Sequence, residues 1–138
     1  MTDLALRATL DVLAAVEEPA YFTDENLRCL VVARIVNLSL ERGNSDGSCV
    51  AYVHLGWFVG PRFGDRQAAF RFGKLALDLV EKRGLERFRA RVSQIFGYFI
   101  NPWSRHLRAS VELLRRSFTA AQERPATSST PPIPGTVW

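Results

Sequence analysis

A self-similarity at a spacing of 41 residues (97 − 56 = 41) constrains the fold of this chain more than any other sequence feature. Shifting the sequence by that spacing superposes six pairs of identical or small residues: Gly43 on Gly84, Gly56 on Gly97, Phe58 on Phe99, Pro61 on Pro102, Ala69 on Ser110 and Ala76 on Ser117. A fixed period of this length with two helices per unit is typical of α-solenoids, because one unit cannot bury its own apolar face and neighbouring units therefore stack.

Apolar residues at helical spacing predict six helices along the chain. Because proline is unfavourable beyond the first turn of a helix, we expect Pro19 to follow the first helix, Pro61 to end the third and Pro102 to end the fifth. Thr23 is the predicted N-cap of the second helix, since a hydroxyl there can accept a hydrogen bond from the first turn. The second and fourth helices are predicted to end at glycine C-caps, Gly43 and Gly84.

The fold class that follows is all-α: a solenoid of antiparallel helix pairs resembling tetratricopeptide repeats. The predicted helical repeat domain covers residues 1–124, with repeat units at approximately 47–84 and 86–124. Residues 125–138 are rich in Pro, Ser and Thr and are predicted to form a disordered tail.

Two glycines inside predicted helices suggest how the repeats pack. Glycine within a helix costs about 1 kcal/mol relative to alanine, so Gly56 and Gly97 need a packing reason. Close approach of the paired helix would supply it, with the small residues Ala69 and Ser110 facing the two glycines thirteen residues later in the sequence. Ala76 and Ser117 follow at a further spacing of seven and complete the predicted packing set.

The composition favours a protein without membrane spans. Hydrophobic residues make up 47% of the 138-residue chain, enough for one core, but no apolar run approaches the roughly 18 residues of a membrane helix. The N-terminus lacks the basic region and the small-residue cleavage site of a signal peptide, which leads us to expect a cytoplasmic protein. Cys29 and Cys49 form no CxxC motif and are predicted to be buried, reduced thiols.

Charge is distributed unevenly between the two parts of the chain. Residues 1–65 carry 5 basic and 9 acidic side chains, whereas residues 66–138 carry 13 basic and 5 acidic ones (5 − 9 = −4 and 13 − 5 = +8). Four arginines form a candidate contact surface: Arg105, Arg108, Arg115 and Arg116. Solvated helix faces explain such charges more often than nucleic-acid binding does, so nucleic acid is the less favoured partner.

No catalytic, cofactor or metal site is predicted. The GxxxxGK[ST] phosphate-binding loop and the protein-kinase motifs are absent from the sequence. His106 is followed by Leu107 and lacks the acidic neighbour of a phosphoacceptor histidine. His54 lies in an apolar helix and is expected to be a hydrogen-bonded core residue. We therefore expect a non-enzymatic protein that contacts other protein.

The stretch from Val36 to Glu123 resembles the helical region of large multi-sensor signalling proteins. The matching segments are SLERGNSD with AYVHLG, GPRFGD with FRFGKLALDLVEKRG, and INPWSRHLR. In that family a protein-kinase-like domain and a predicted AAA-type ATPase precede the helical region, and sensor and histidine-kinase modules follow it. The resemblance implies a connecting role in signal transduction, with kinase and ATPase activity in other domains.

Three functions remain open at this point: a scaffold segment of such a protein, a stand-alone peptide-binding adaptor, and a nucleic-acid-binding helical repeat. The aromatic residues Trp57, Phe58, Tyr98, Phe99 and Trp103 would line a peptide groove in the second case, although inter-helix packing is the commoner role.

Pro125 stands where the period predicts another glycine cap (84 + 41 = 125), so we expect a truncated or frame-diverged fragment of a longer repeat. We further expect the sixth helix of this chain to expose part of an apolar surface made by Leu113, Leu114, Phe118 and Ala121. Such an exposed surface predicts self-association. Leu114 and Phe118 are both expected to face the fifth helix as well.

Overall fold

A computed structural model describes residues 3–103 and 107–123, and all regular structure within these ranges is helical. The α-helices are α1 (Leu4–Thr23), α2 (Glu25–Arg42), α3 (Ser48–Phe63), α4 (Arg66–Arg83), α5 (Glu86–Ile95) and α6 (Leu107–Gln122). A π-helical turn, Phe96–Ile100, and a 3-10 turn, Asn101–Trp103, continue from α5. The predicted all-α fold with six helices is confirmed, whereas the predicted tail lies outside the described residues.

The helices pack in chain order as three pairs: α1 with α2, α3 with α4, and α5 with α6. Asp24 alone separates α1 from α2, and two residues separate α3 from α4. Such short connections leave room only for an antiparallel arrangement. Because α3 also contacts α2 and α5, it lies at the centre of the fold.

The helix caps agree with the sequence at the glycines and differ at Thr23. Gly43 and Gly84 end α2 and α4 with positive φ angles of 104° and 61°, as predicted. The N-cap of α2 is Asp24, whose Oδ1 accepts hydrogen bonds from the backbone N–H groups of Asn26 and Leu27. The assignment of Thr23 was wrong, because its hydroxyl donates to the Pro19 carbonyl at 3.0 Å and closes α1 instead.

Two prolines lie inside helices, contrary to the prediction from sequence. Pro19 is part of α1 and Pro61 is part of α3. Both prolines are exposed, so their rings face solvent and do not disturb the packing of the core. Pro102 lies in the 3-10 turn, and regular α-helix already ends at Ile95 because the π-helical turn intervenes.

The core is made mostly of aliphatic side chains, together with Tyr52, Phe58, Phe96 and Cys49. Leu10, Val32, Tyr52, Val53 and Ile100 are among the side chains with almost no exposed surface, and they come from α1, α2, α3 and the π-helical turn. Burying a side chain of this size contributes about 1.5–3 kcal/mol. The N-terminal pair α1–α2 is therefore part of the same core as α3 and the π-helical turn.

Both cysteines are free thiols; Cys49 is buried as predicted, whereas Cys29 is only partly buried. The Cys49 thiol donates to the Asp46 carbonyl at 3.1 Å, and burial raises its pKa to about 12. No helix in the described part of the chain has the length and hydrophobicity needed to cross a bilayer.

Candidate functional site

A buried charged cluster joins four helices around the carboxylate of Glu17. The Arg28 Nε donates to Glu17 Oε1 at 2.8 Å, and His54 Nδ1 lies 3.0 Å from the same oxygen without an aligned hydrogen bond. Arg91 Nη2 lies 3.4 Å from Oε2, and its Nη1 donates to Glu18 at 3.0 Å. Glu17, Arg28 and His54 are each at most 5% exposed. Side chains of α1, α2, α3 and α5 therefore meet at one carboxylate.

Aromatic rings surround the guanidinium group of Arg28. Its Cζ lies 4.5 Å from the ring centre of Tyr21, 4.9 Å from that of Trp57 and 4.8 Å from that of Phe58. A cation over aromatic faces is attracted by their negative surface, and the attraction grows when water is excluded. Because Tyr21 is near the end of α1 and Arg28 is near the start of α2, the short connection at Asp24 holds them together.

The cluster fixes the protonation states of its members. Burial alone raises the pKa of Glu17, but the contacts with His54 and Arg28 outweigh it and lower the pKa to about 2. Burial lowers the pKa of His54, and the charges of Arg28 and Arg91 act in the same direction against the Glu17 carboxylate. At neutral pH, Glu17 is therefore ionised beside a neutral imidazole. A carboxylate with so low a pKa is a weak general base. The ion pairs of this cluster connect the helices to one another.

A cavity of about 150 Å³ adjoins the cluster between α1, α2, α3 and α5. Asp11, Arg87 and Arg91 supply charge to its wall, and His54 and Val50 lie on the side of α3. Its volume is below the 300 Å³ or more of typical ligand pockets and corresponds to a few water molecules. Among the described residues, no His, Cys, Asp or Glu group is arranged to hold a metal ion.

The connection between α2 and α3 is held by polar contacts within the segment SLERGNSD and its neighbours. The Ser39 and Ser48 hydroxyls lie 2.7 Å apart, and the Tyr52 hydroxyl donates to Asn44 Oδ1 at 2.7 Å. Arg83 at the end of α4 donates to the Asn44 carbonyl at 3.0 Å. The segment that carries much of the family resemblance thus has a structural role at the α2–α3–α4 junction.

The structure brings Gly56 and Ala69 together at the crossing of α3 and α4. A Cβ on Gly56 would lie 2.7 Å from the Ala69 carbonyl oxygen and 3.2 Å from the Gly73 nitrogen. A Cβ on Gly73 would meet the Phe96 ring at 2.4 Å, a close approach that the sequence did not indicate. Ala76, one turn further along α4, is fully buried.

The equivalent crossing of the second unit is built differently. The atoms nearest to a Cβ on Gly97 belong to Leu113 and Leu114, at 3.2–3.6 Å, so the expectation that Ser110 faces this glycine was wrong. Gly97 lies in the π-helical turn, whose wider turn changes which residues of α5 and α6 face each other. Ser110 accepts instead from the Asn101 amide at 2.9 Å, and Ser117 donates to the Ala90 carbonyl at 2.7 Å.

The candidate arginine surface is only partly described. Arg108, Arg115 and Arg116 are exposed on α6, and Arg105 and His106 lie outside the described residues. Arg116 Nε lies 3.2 Å from Glu112 Oε1, which offsets its charge locally. Three of the residues proposed for a peptide groove pack on one another: the Trp57 ring stacks on that of Phe99 at 4.1 Å and on that of Phe58 at 5.8 Å. Tyr98 is 42% exposed, and the side chain of Trp103 lies outside the described part of the structure.

Two exposed apolar stripes occur on the first and last described helices. The α1 stripe follows alternating spacings of three and four residues and consists of Ala5, Ala8, Val12, Ala15, Pro19 and Phe22. Val12 is 62% exposed and Phe22 is 61% exposed. The α6 stripe has the same spacing and consists of Val111, Leu114, Phe118 and Ala121. Such spacing is that of helix–helix contact positions.

The α6 stripe is uncovered in part, as expected, but one detail differs. Phe118 is 66% exposed, so the expectation that it faces the fifth helix was wrong. Ser117 takes the inward position through its hydrogen bond to Ala90 and turns the next residue outward. Leu114 does lie against Gly97.

Comparison with known proteins gives one distant similarity. The chain is 25% identical over 116 residues to hybrid signal transduction histidine kinase G of Dictyostelium discoideum. The match covers 83% of this chain and spans only 3% of the relative. No protein-family model and no solved structure matches the chain.

Proposed function

We propose that this chain is a non-catalytic helical scaffold segment that contacts other protein, as part of a larger signalling protein. The observation that carries the proposal is the pair of exposed apolar stripes on α1 and α6. Contiguous apolar surface on a folded domain is characteristic of protein contact sites. The α1 and α6 stripes have the residue spacing that a packed helix recognises.

The similarity to a histidine kinase supports the signalling part of the proposal. Because the match spans 3% of that relative, a similar segment in it is surrounded by much more protein. We propose the same setting for this chain, with the stacking of a tetratricopeptide-like repeat and with any ATPase or kinase activity in other domains.

Site-specific photo-crosslinking in cells tests the contact role. A photoreactive side chain at Val12 or Phe118 is expected to form adducts with protein, whereas one at the exposed polar residue Thr119 serves as the matched control. Adducts formed equally at all three positions, or formed with nucleic acid, would contradict the scaffold proposal.

A second experiment tests the absence of catalysis. Purified chain incubated with labelled ATP is expected neither to release phosphate nor to become labelled. Stable labelling of His106 would show a phosphoacceptor and overturn the proposal.

A further inference from the structure

The α1 and α6 stripes have the same residue spacing, and the charges beside them have opposite signs. Asp11 and Glu18 are exposed and each immediately precedes a member of the α1 stripe, Val12 or Pro19. Arg108 and Arg115 are exposed and lie seven residues apart along the α6 stripe, with Arg115 immediately after Leu114. Asp11 and Glu18 therefore flank the α1 stripe, although Glu18 already pairs with Arg91 of its own copy, and arginines flank the α6 stripe.

The positions of these charges select one relative direction of the helices. Asp11 precedes a stripe residue of α1, whereas Arg115 follows a stripe residue of α6. Two residues placed in this way lie on the same side of the contact only when the two helices run parallel. In that arrangement Asp11 approaches Arg115 when Val12 lies opposite Val111. The acidic and basic flanks would face opposite sides if the helices ran antiparallel.

The same alignment also matches side chains by size. With Val12 opposite Val111, the following layers place Ala15 opposite Leu114 and Pro19 opposite Phe118. The last layer places Phe22 opposite Ala121. A large side chain on one helix meets a smaller one on the other in each of these three layers, which is how close-packed helix contacts fill space.

We propose that the α6 stripe of one copy of this chain docks in parallel on the α1 stripe of a second copy, so that copies associate head to tail. Pairing of two α1 stripes would gather acidic side chains, and pairing of two α6 stripes would gather arginines, both of which are repulsive. A contact between two different surfaces leaves one of each unused at the ends of a dimer, so longer assemblies form as concentration rises. The inference goes beyond the proposed scaffold role, because it names the partner and the two surfaces.

Sedimentation of complementary variants tests the proposal with the full chain. The parent chain is expected to form a concentration-dependent series of oligomers. Val12→Lys blocks the α1 stripe and Phe118→Lys blocks the α6 stripe, so each variant alone is expected to be monomeric. An equal mixture of the two retains one intact stripe on each partner and is expected to form only a 1:1 dimer. Thr119→Lys, which adds the same charge beside the stripe, is expected to associate like the parent.

Each alternative result is decisive. A parent chain that stays monomeric at high concentration would overturn the proposal, as would self-association of either blocked variant or a mixture that remains monomeric. Circular dichroism shows whether the variants keep the helical fold, which exposed substitutions should preserve.

Charge reversal tests the parallel alignment separately. Asp11→Arg or Arg115→Glu alone is expected to weaken association at least about threefold, since interfacial charge pairs contribute to register and affinity. The two changes in the same chain restore an opposite pair between copies and are expected to restore association. A double variant weaker than both single variants would overturn the parallel alignment.

Discussion

Glu17 and Arg28 are eleven residues apart in the sequence, and their side chains form an ion pair of 2.8 Å in which both partners are almost fully buried. The pair joins the inner faces of α1 and α2, and His54 and Arg91 extend it to α3 and α5. Because both side chains are almost fully buried, bulk water solvates neither charge well if its partner is removed.

Replacing Glu17 by Gln is expected to destabilise the fold by about 3–5 kcal/mol, because it leaves the Arg28 charge buried without a carboxylate. Glu18→Gln is the matched control: Glu18 is about half exposed and its contact with Arg91 is worth about 1 kcal/mol or less. Urea unfolding followed by circular dichroism measures both. Equal effects of the two substitutions would show that the Glu17 cluster has no special role.

Stability is expected to fall as pH decreases, in two steps. The folded pKa of His54 lies below its ordinary value of 6.5, so the unfolded chain binds the proton first and stability is lost below about pH 6.5. The ionised form of Glu17 stabilises the fold. This contribution is lost as the pH falls from 4.5, the ordinary pKa of the group, towards its folded pKa of about 2. Unfolding free energies measured between pH 8 and pH 3, with about one-unit steps, test both windows.

His54→Asn is expected to reduce the loss of stability that begins below about pH 6.5. An unchanged pH dependence in the His54 variant would assign the transition to other groups.

Two glycines on α3 are expected to respond oppositely to alanine. Gly56→Ala places a Cβ 2.7 Å from a backbone oxygen that cannot move aside, and overpacking of this kind costs about 1–3 kcal/mol. Gly60→Ala meets only an ordinary 3.5 Å contact with Ala69 and is expected to gain up to about 1 kcal/mol from helix propensity. Thermal melts of the two variants measure the difference, and a higher melting temperature for Gly56→Ala would refute the close crossing.

Leu114 and Phe118 are expected to differ in what they stabilise. Leu114→Ser removes packing against Gly97 and should cost about 1–3 kcal/mol. Phe118→Ser changes a side chain that is 66% exposed and should alter stability by about 0.5 kcal/mol or less. Chemical unfolding at low protein concentration separates these effects from association. A loss of stability in the Phe118 variant equal to that of Leu114→Ser would contradict the outward placement.

The helical periodicity and the glycine caps could be predicted from sequence, because they depend on local spacing and backbone conformation. The interior positions of Pro19 and Pro61 could not, since a helix tolerates proline more readily where its ring faces solvent, and that depends on which side is exposed. The π-helical turn at Gly97 also depends on tertiary packing, and it explains why Ser110 does not repeat the role of Ala69.

The charged cluster left a signal in the sequence that periodicity alone did not resolve. Glu17 lies at helical spacing from Leu10 and Leu13, and Arg28 lies at helical spacing from Val31 and Ile35, so both are in phase with buried residues. Charged residues on the core side of two consecutive helices indicate a buried pair. Their meeting with His54 depends on how α3 packs, which no local pattern encodes.

The contacts of Arg91 have a consequence for how the molecule unfolds. Helical repeats that touch only their immediate neighbours can lose one unit at a time, as a row of weakly coupled segments. Arg91 links the third helix pair directly to Glu17 and Glu18 of the first pair, across 74 and 73 residues of sequence. Opening either end therefore disrupts an interaction made by the other end. We therefore expect the two ends of this short row of helices to open together, so that their backbone hydrogens exchange together with those of its centre.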